Sequence, residues 1–170
     1  ELSASLVGSE MCIRDSIMII LVVILAIIVA VYGTLWAAQR PMHQAQKTAY
    51  SLADSKGKLK TTTAFSQYNG TSSYYVVTGT SSKNVPVYAL INANKHHKTT
   101  VIKQSAGISR TKALKKVWSK RNPSKVIKAT LGKYDGTVVW EITYLNQKKN
   151  LCYEILQYSN GNQLKSIINI

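Results

Sequence analysis

The chain has 170 residues, of which 22 are Lys or Arg and 7 are Asp or Glu, giving a formal charge of +15. Two cysteines among 170 residues exclude a disulfide scaffold and a cysteine cluster for metal. So few acids leave little material for carboxylate-pair catalysis, which needs two carboxyls held close in different environments.

The run "LVGSEMCIRDS" at positions 6–16 is similar to the in-frame translation of a transposase adapter, so residues 1–16 are expected to be foreign to the protein. Setting them aside removes Glu1, Glu10, Arg14, Asp15 and Cys12, which leaves Cys152 as the lone thiol and raises the net charge by two. Residues 17–38, "IMIILVVILAIIVAVYGTLWAA", carry no charge and are long enough to cross a bilayer as a helix. Tyr32 and Trp36 suit the headgroup layer at its C-terminal end, and Arg40 with Pro41 is expected to close the span. A cleaved signal would need small residues at alternate positions before the cut, whereas Leu35 or Trp36 stands there, so an uncleaved single-pass anchor is expected. Long domains cross largely regardless of charge, so the remainder is placed outside the cell.

After the span, residues 39–60 are polar with Ala45, Ala49, Leu52 and Ala53 at helical spacing. Strands are predicted at 61–68, 73–80, 85–92 and 99–103, rich in Thr, Val and Tyr between Asn, Gly and Ser. Ser109 caps a predicted helix over 109–121, with Ile108 as a staple on Ala113. Ala113, Leu114, Val117 and Trp118 form its expected buried face, and Asn122 before Pro123 ends it. Strands follow at 125–133, 138–146, 151–159 and 163–168. In the second of these, Trp140, Ile142 and Tyr144 alternate with Glu141 and Thr143, which predicts one buried and one wet face.

"YNGT" at 68–71 and "YDGT" at 134–137 lie 66 residues apart. Sliding 68–103 onto 134–169 without a gap makes eight positions coincide, among them Gly70 with Gly136 and Leu90 with Leu156. The chain therefore states a helix-plus-sheet unit twice, over 39–106 and 107–170, and both turns are expected to be tight hairpins with positive φ.

Chemistry-bearing residues are sparse. Asp54 is assigned to a helix end, Asp135 to its turn, and Glu141 and Glu154 to solvent-facing strand positions. Adjacent His96 and His97 diverge in a turn and lack a nearby carboxylate, so no metal or cofactor is expected. Cys152 falls in a strand and reads as a small packed residue. No catalytic set is found, and the reading is non-enzymatic. The candidate binding surface is basic: Arg110, Lys112, Lys115, Lys116, Lys120 and Arg121, continued by Lys125 and Lys128. Behind a membrane anchor, anionic headgroups or teichoic acid suit it better than nucleic acid, and no nucleic acid partner is expected. Its plain alternative is a solvated basic face.

The order of anchor, helix, "SYYVVTGTSSKNVPVYALI", the helix "GISRTKALKKV" and "TVVWEITYLNQKKNLCYEILQYSNGNQLKSI" resembles the TseB-like (YpmB-like) cell wall elongation regulators of Gram-positive bacteria. The resemblance implies an α+β fold with two tandem cystatin-like (PepSY-like) units, each a helix packed on an antiparallel sheet. It further implies a single-pass protein outside the cell that supports wall elongation through a penicillin-binding transpeptidase. A polyanion-binding surface module, for teichoic acid, anionic lipid or DNA, and a peptidase-inhibitor module are the alternatives.

Overall fold

The computed structural model describes residues 4–94 and 96–168, with side chains described from residue 16 onward except at 38 and 39. The expectation that residues 1–16 are foreign therefore falls almost wholly on side chains outside this description. The chain divides between Gln44 and Ala45 into two compact units.

The first unit is helical. Helix α1 is Ala4–Ser55, with Pro41 inside it. It is the one helix among the described residues long and apolar enough to cross a membrane, and an 18-residue stretch of it has a mean hydropathy of 3.0. Every described side chain from Ser16 to Ala37 is exposed. The Arg40 guanidinium lies 3.9 Å from the Trp36 ring centroid, a pairing that suits the interfacial end of a span. The helix runs on without a break through Pro41, where the membrane span was expected to close, into the helical segment expected over 39–60. Proline forfeits one backbone hydrogen bond, and the strong helix formers Met42, Gln44, Ala45 and Gln46 after it carry the turn onward.

The second unit holds the last turns of α1 and all the strands. Strands β1 (Leu59–Asn69), β2 (Ser73–Ser81), β3 (Pro86–Asn92) and β4 (Thr99–Lys103) form one antiparallel sheet in chain order. A 3-10 turn, Gln104–Ala106, leads to α2 (Arg110–Arg121). Strands β5 (Lys125–Tyr134), β6 (Thr137–Leu145), β7 (Leu151–Gln157) and β8 (Gln163–Ile167) form the second sheet, again in chain order. Each predicted strand lies within two residues of its place, because alternation and Asn/Gly/Ser turns mark both ends.

Two cores share the first sheet. On one face, Val77, Val87, Ala89 and Ile91 pack with Ala49 and Ala53 of α1. On the other, Val76 and Leu90 join Leu131, Trp140, Ile142 and Leu156 of the second sheet and Ala113 and Val117 of α2. Both faces of β2 and β3 are thus covered, which explains the continuous apolar runs "YYVV" and "VYALI".

Three contacts lock sheet to sheet. The Tyr68 ring lies against Gly132, where a side chain would collide with it. The Lys128 ammonium donates to the Gln67 carbonyl (2.6 Å), and Lys133 donates to Thr100 Oγ1 (3.0 Å).

Four expectations need correction. Trp118 is 47 % exposed. The stripe of α2 is narrower than predicted and centres on Ala113 and Val117, one turn apart, with Leu114 half-buried beside them. Glu154 is buried, at 2 % exposure, and Glu141 is half-buried. Thr143, on the expected wet face of β6, is buried as well.

The repeat is the fourth. Tyr134 pairs with Thr137 around a two-residue turn in which Asp135 (φ 46°) and Gly136 (φ 79°) take positive φ, as expected for Asp-Gly. Asn69 pairs with Ser73 instead, around the three residues Gly70, Thr71 and Ser72, and neither Asn69 nor Gly70 has positive φ. A constant offset would match Tyr74 to Trp140, yet Tyr74 pairs with Tyr68 and Trp140 with Leu131. The two four-stranded sheets, both in the second unit, share a strand order but not a register.

Candidate functional site

Helix α2 carries the six basic residues, and its ends are fixed by specific contacts. The Ser109 side chain accepts from the Lys112 N–H (3.2 Å), as a capping serine should. The Trp140 indole N–H donates to the Ile108 carbonyl (2.9 Å), and the Ile108 N–H donates to the Tyr158 carbonyl (2.7 Å), so the start of the helix is tied to β6 and to the end of β7. At the other end Asn122 takes the left-handed conformation (φ 44°) and its N–H donates to the Trp118 carbonyl. That residue suits the position better than most, and Pro123 cannot continue the helix.

The structure divides the six cations into three groups. Arg121 faces inward: its Nε donates to Glu154 Oε2 at 3.1 Å and its Nη2 to Ser166 Oγ at 3.0 Å. Lys116 and Lys120 reach across to the start of β8, where Lys116 Nζ donates to the Gly161 carbonyl in the turn before it (3.0 Å) and Lys120 Nζ to Oε1 of Gln163, its first residue. Between them and Glu154 lies a cleft of about 320 Å³. Lys112 and Lys115 are exposed and make no side-chain hydrogen bond among the described residues. Arg110, also exposed, stands apart from the cleft and lines a separate recess between the two sheets.

That recess, about 300 Å³, was not legible as a site. Val76, Leu131 and Trp140 lie at its apolar base, and Ala64, Phe65 and Tyr88 line its sides. Tyr88 stands edge-on to Trp140 (6.0 Å between centroids, 90°) and to Tyr158 (6.3 Å, 83°). Burial pushes the Tyr88 phenol up from its ordinary pKa, and the nearby Arg110 charge opposes the shift. Tyr158 is itself fixed, donating to the carbonyls of Lys103 (2.8 Å) and Gln104 (3.0 Å).

Asp135 sits in its turn and Asp54 in the last turn of α1, as expected. Burial raises the Glu141 carboxyl, with the Lys128 charge opposing. His96 and His97 both take positive φ, and His97 Nδ1 lies 3.3 Å from the Asn92 carbonyl. Cys152 is buried in β7. Among the described residues no three His, Cys, Asp or Glu gather where they could hold a metal ion.

Known proteins resemble this arrangement. Residues 48–92 match the family described as the cell wall elongation regulator TseB-like domain, a stretch that runs from α1 through β3. A Bacillus subtilis (strain 168) protein described as a probable cell wall elongation regulator, TseB, is 27% identical over 149 residues, covering 88% of this chain and 91% of that protein. The solved structure of the YpmB protein from Bacillus subtilis superposes with a TM-score of 0.64 at 27% identity, covering 71% of this chain and 94% of that one.

Proposed function

We propose, from the premise that the chain belongs to the TseB-like cell wall elongation regulator family, that it is a membrane-anchored, extracytoplasmic regulator of wall elongation acting without catalysis of its own. Its target in this reading is a wall-synthesis protein, a penicillin-binding transpeptidase. The observation that carries the proposal is the match over 149 residues to a protein described as a probable cell wall elongation regulator. The apolar stretch of α1 supports an anchor by length and composition. The folded unit that follows offers surface for a partner on α2 and between its sheets.

Deleting the gene and staining newly made wall tests the function. The deletion strain is expected to elongate poorly and to change its sensitivity to transpeptidase inhibitors. Normal elongation with unchanged sensitivity sinks the reading. Protease added to intact, wall-stripped cells tests the topology: residues after Gln39 should be removed, and full protection would place them inside.

A further inference from the structure

The recess between the sheets combines three properties that a solvated crevice does not need. Its base is apolar and comes from both sheets, through Val76 of the first and Leu131 and Trp140 of the second. One side is built from consecutive residues of β1, Ala64, Phe65 and Ser66, and β1 is an edge strand with no neighbour beyond it in its sheet. At its rim stand two hydrogen-bond donors, the Arg110 guanidinium and the Tyr88 hydroxyl, and neither side chain has a hydrogen-bond partner among the described residues. The one ion pair among those residues is Arg121 with Glu154.

The Tyr88 ring and the backbone beside Arg110 are held in place. Tyr88 is braced edge-on by Trp140 and Tyr158. Arg110 follows Ile108 by two residues, and Ile108 is tied through both its backbone groups to Trp140 and Tyr158. The same two aromatic residues therefore fix the Tyr88 ring and the backbone next to Arg110, which lowers the order that binding must impose to that of the arginine side chain.

We propose that this recess docks an extended segment of a protein partner, which puts a large apolar side chain onto Trp140 and the carboxylate of a neighbouring Asp or Glu onto Arg110 and Tyr88. A guanidinium without an acid, beside a phenol, calls for an anionic acceptor, and carboxylate to arginine is among the stronger hydrogen-bonded pairs. The volume is at the lower end for small-molecule pockets and suits one or two side chains. An extended chain can run along the exposed part of the β1 edge, residues 60–64, short of Gln67, whose carbonyl already accepts from Lys128, in the strand-addition mode of peptide recognition. A phosphate polymer would satisfy Arg110 but has nothing apolar for the base. This inference rests on the reading that the chain acts through a protein partner, and it names where that partner's segment lies.

The test uses the full chain in detergent micelles and a displayed library of random linear peptides. Enriched peptides should carry an acid within a few positions of an aromatic or branched aliphatic residue. Their affinity should fall about tenfold or more on Arg110→Glu, the loss expected for a hydrogen bond to a charged group. It should fall as much on Ala64→Trp, which fills the recess from an exposed position, and stay unchanged on Lys148→Gln. Thermal melts of the variants confirm that each folds. The inference fails if no peptide is enriched, if those enriched bind both recess variants as tightly as wild type, or if they lack acids. It fails equally if a glycerol phosphate oligomer displaces them, or if sedimentation shows a second copy occupying the recess. In the deletion strain, restoration of elongation by wild type and by both variants alike overturns the docking site and leaves the regulator reading standing. A deletion strain with normal elongation overturns the regulator reading by itself.

Discussion

Replacing Arg121 with Met tests how α2 is held to the second sheet. Glu154 is 2 % exposed, and Arg121 is 23 % exposed. Ser166 lies opposite Glu154 across β7 and β8, donates to Oε2 at 2.9 Å, and accepts from the arginine in turn. The three side chains thus close a ring that joins the end of α2 to two strands. Taking away one partner of a buried pair leaves a desolvated charge, which costs about 3 to 5 kcal/mol. Water can reach the arginine's side of this pair, so the lower figure, about 3 kcal/mol, is expected.

In a unit of this size that loss lowers the melting temperature by roughly 10 °C. Circular dichroism melts of the full chain in detergent would read it. Glu154→Gln should cost less, about 1 kcal/mol, because it removes the buried charge and leaves an arginine that can turn to solvent. The double variant should then be more stable than the sum of the single losses predicts. An Arg121→Met loss below about 0.5 kcal/mol, or strict additivity, would refute the reasoning: the pair would then be a surface contact of the ordinary weak kind.

Two further predictions follow from burial. Val117→Ala should cost about 2 kcal/mol, since it empties space in the shared core, while Trp118→Ala should stay within about 1 kcal/mol because nearly half the ring is exposed; chemical denaturation of both variants decides between this face and the wider one suggested by the sequence. Burial also pushes the Tyr68 and Tyr158 phenols up to about 12. Folding favours their protonated forms, so their contribution is complete below pH 10 and is lost as the pH rises through about 12; denaturation midpoints should fall across that window, and less steeply in Tyr68→Phe.

The strands were legible because each carries its own boundary signals, and α2 was legible because Ser109 and Asn122-Pro123 mark its ends. Burial was less legible. Glu154 looked like a wet position since alternation alone cannot reveal that a helix and a neighbouring strand bring Arg121 and Ser166 to it, 33 and 12 residues away in sequence. Trp118 misled in the opposite direction, because a large apolar residue beside a stripe widens it on paper, while only Ala113 and Val117 are fully buried and Leu114 packs on the core in part. The recess was invisible for the same reason as the ion pair. Its lining comes from five strands and a helix end, and the only local hint was a tyrosine, Tyr88, at the position the repeat matches to the buried Glu154.

The two glycine turns show how far the repeat can be trusted, and they differ in a way that experiment can separate. At Gly136 the backbone takes φ 79°, and an added Cβ would meet nothing within 4 Å, so Gly136→Ala should cost about 1 kcal/mol through the backbone alone. At Gly70 the φ is ordinary, but an added Cβ would strike the Tyr68 hydroxyl and lie 2.6 Å from Cζ. Tyr68 cannot yield, because it is 1 % exposed and its ring already fills the space over Gly132. Gly70→Ala should therefore cost about 1 to 3 kcal/mol by overpacking. Tyr68→Phe removes the nearest atom of that clash. It also removes a buried hydroxyl without a partner among the described residues, so by itself it should be neutral or stabilising. The combination with Gly70→Ala should recover at least about 0.5 kcal/mol beyond additivity, while Gly136→Ala combined with Tyr134→Phe should add simply. If Gly70→Ala proved as uncoupled from its tyrosine as Gly136→Ala, the two turns would be conformational equivalents after all, and the three-residue loop would have to give way to a second tight hairpin in register with the first.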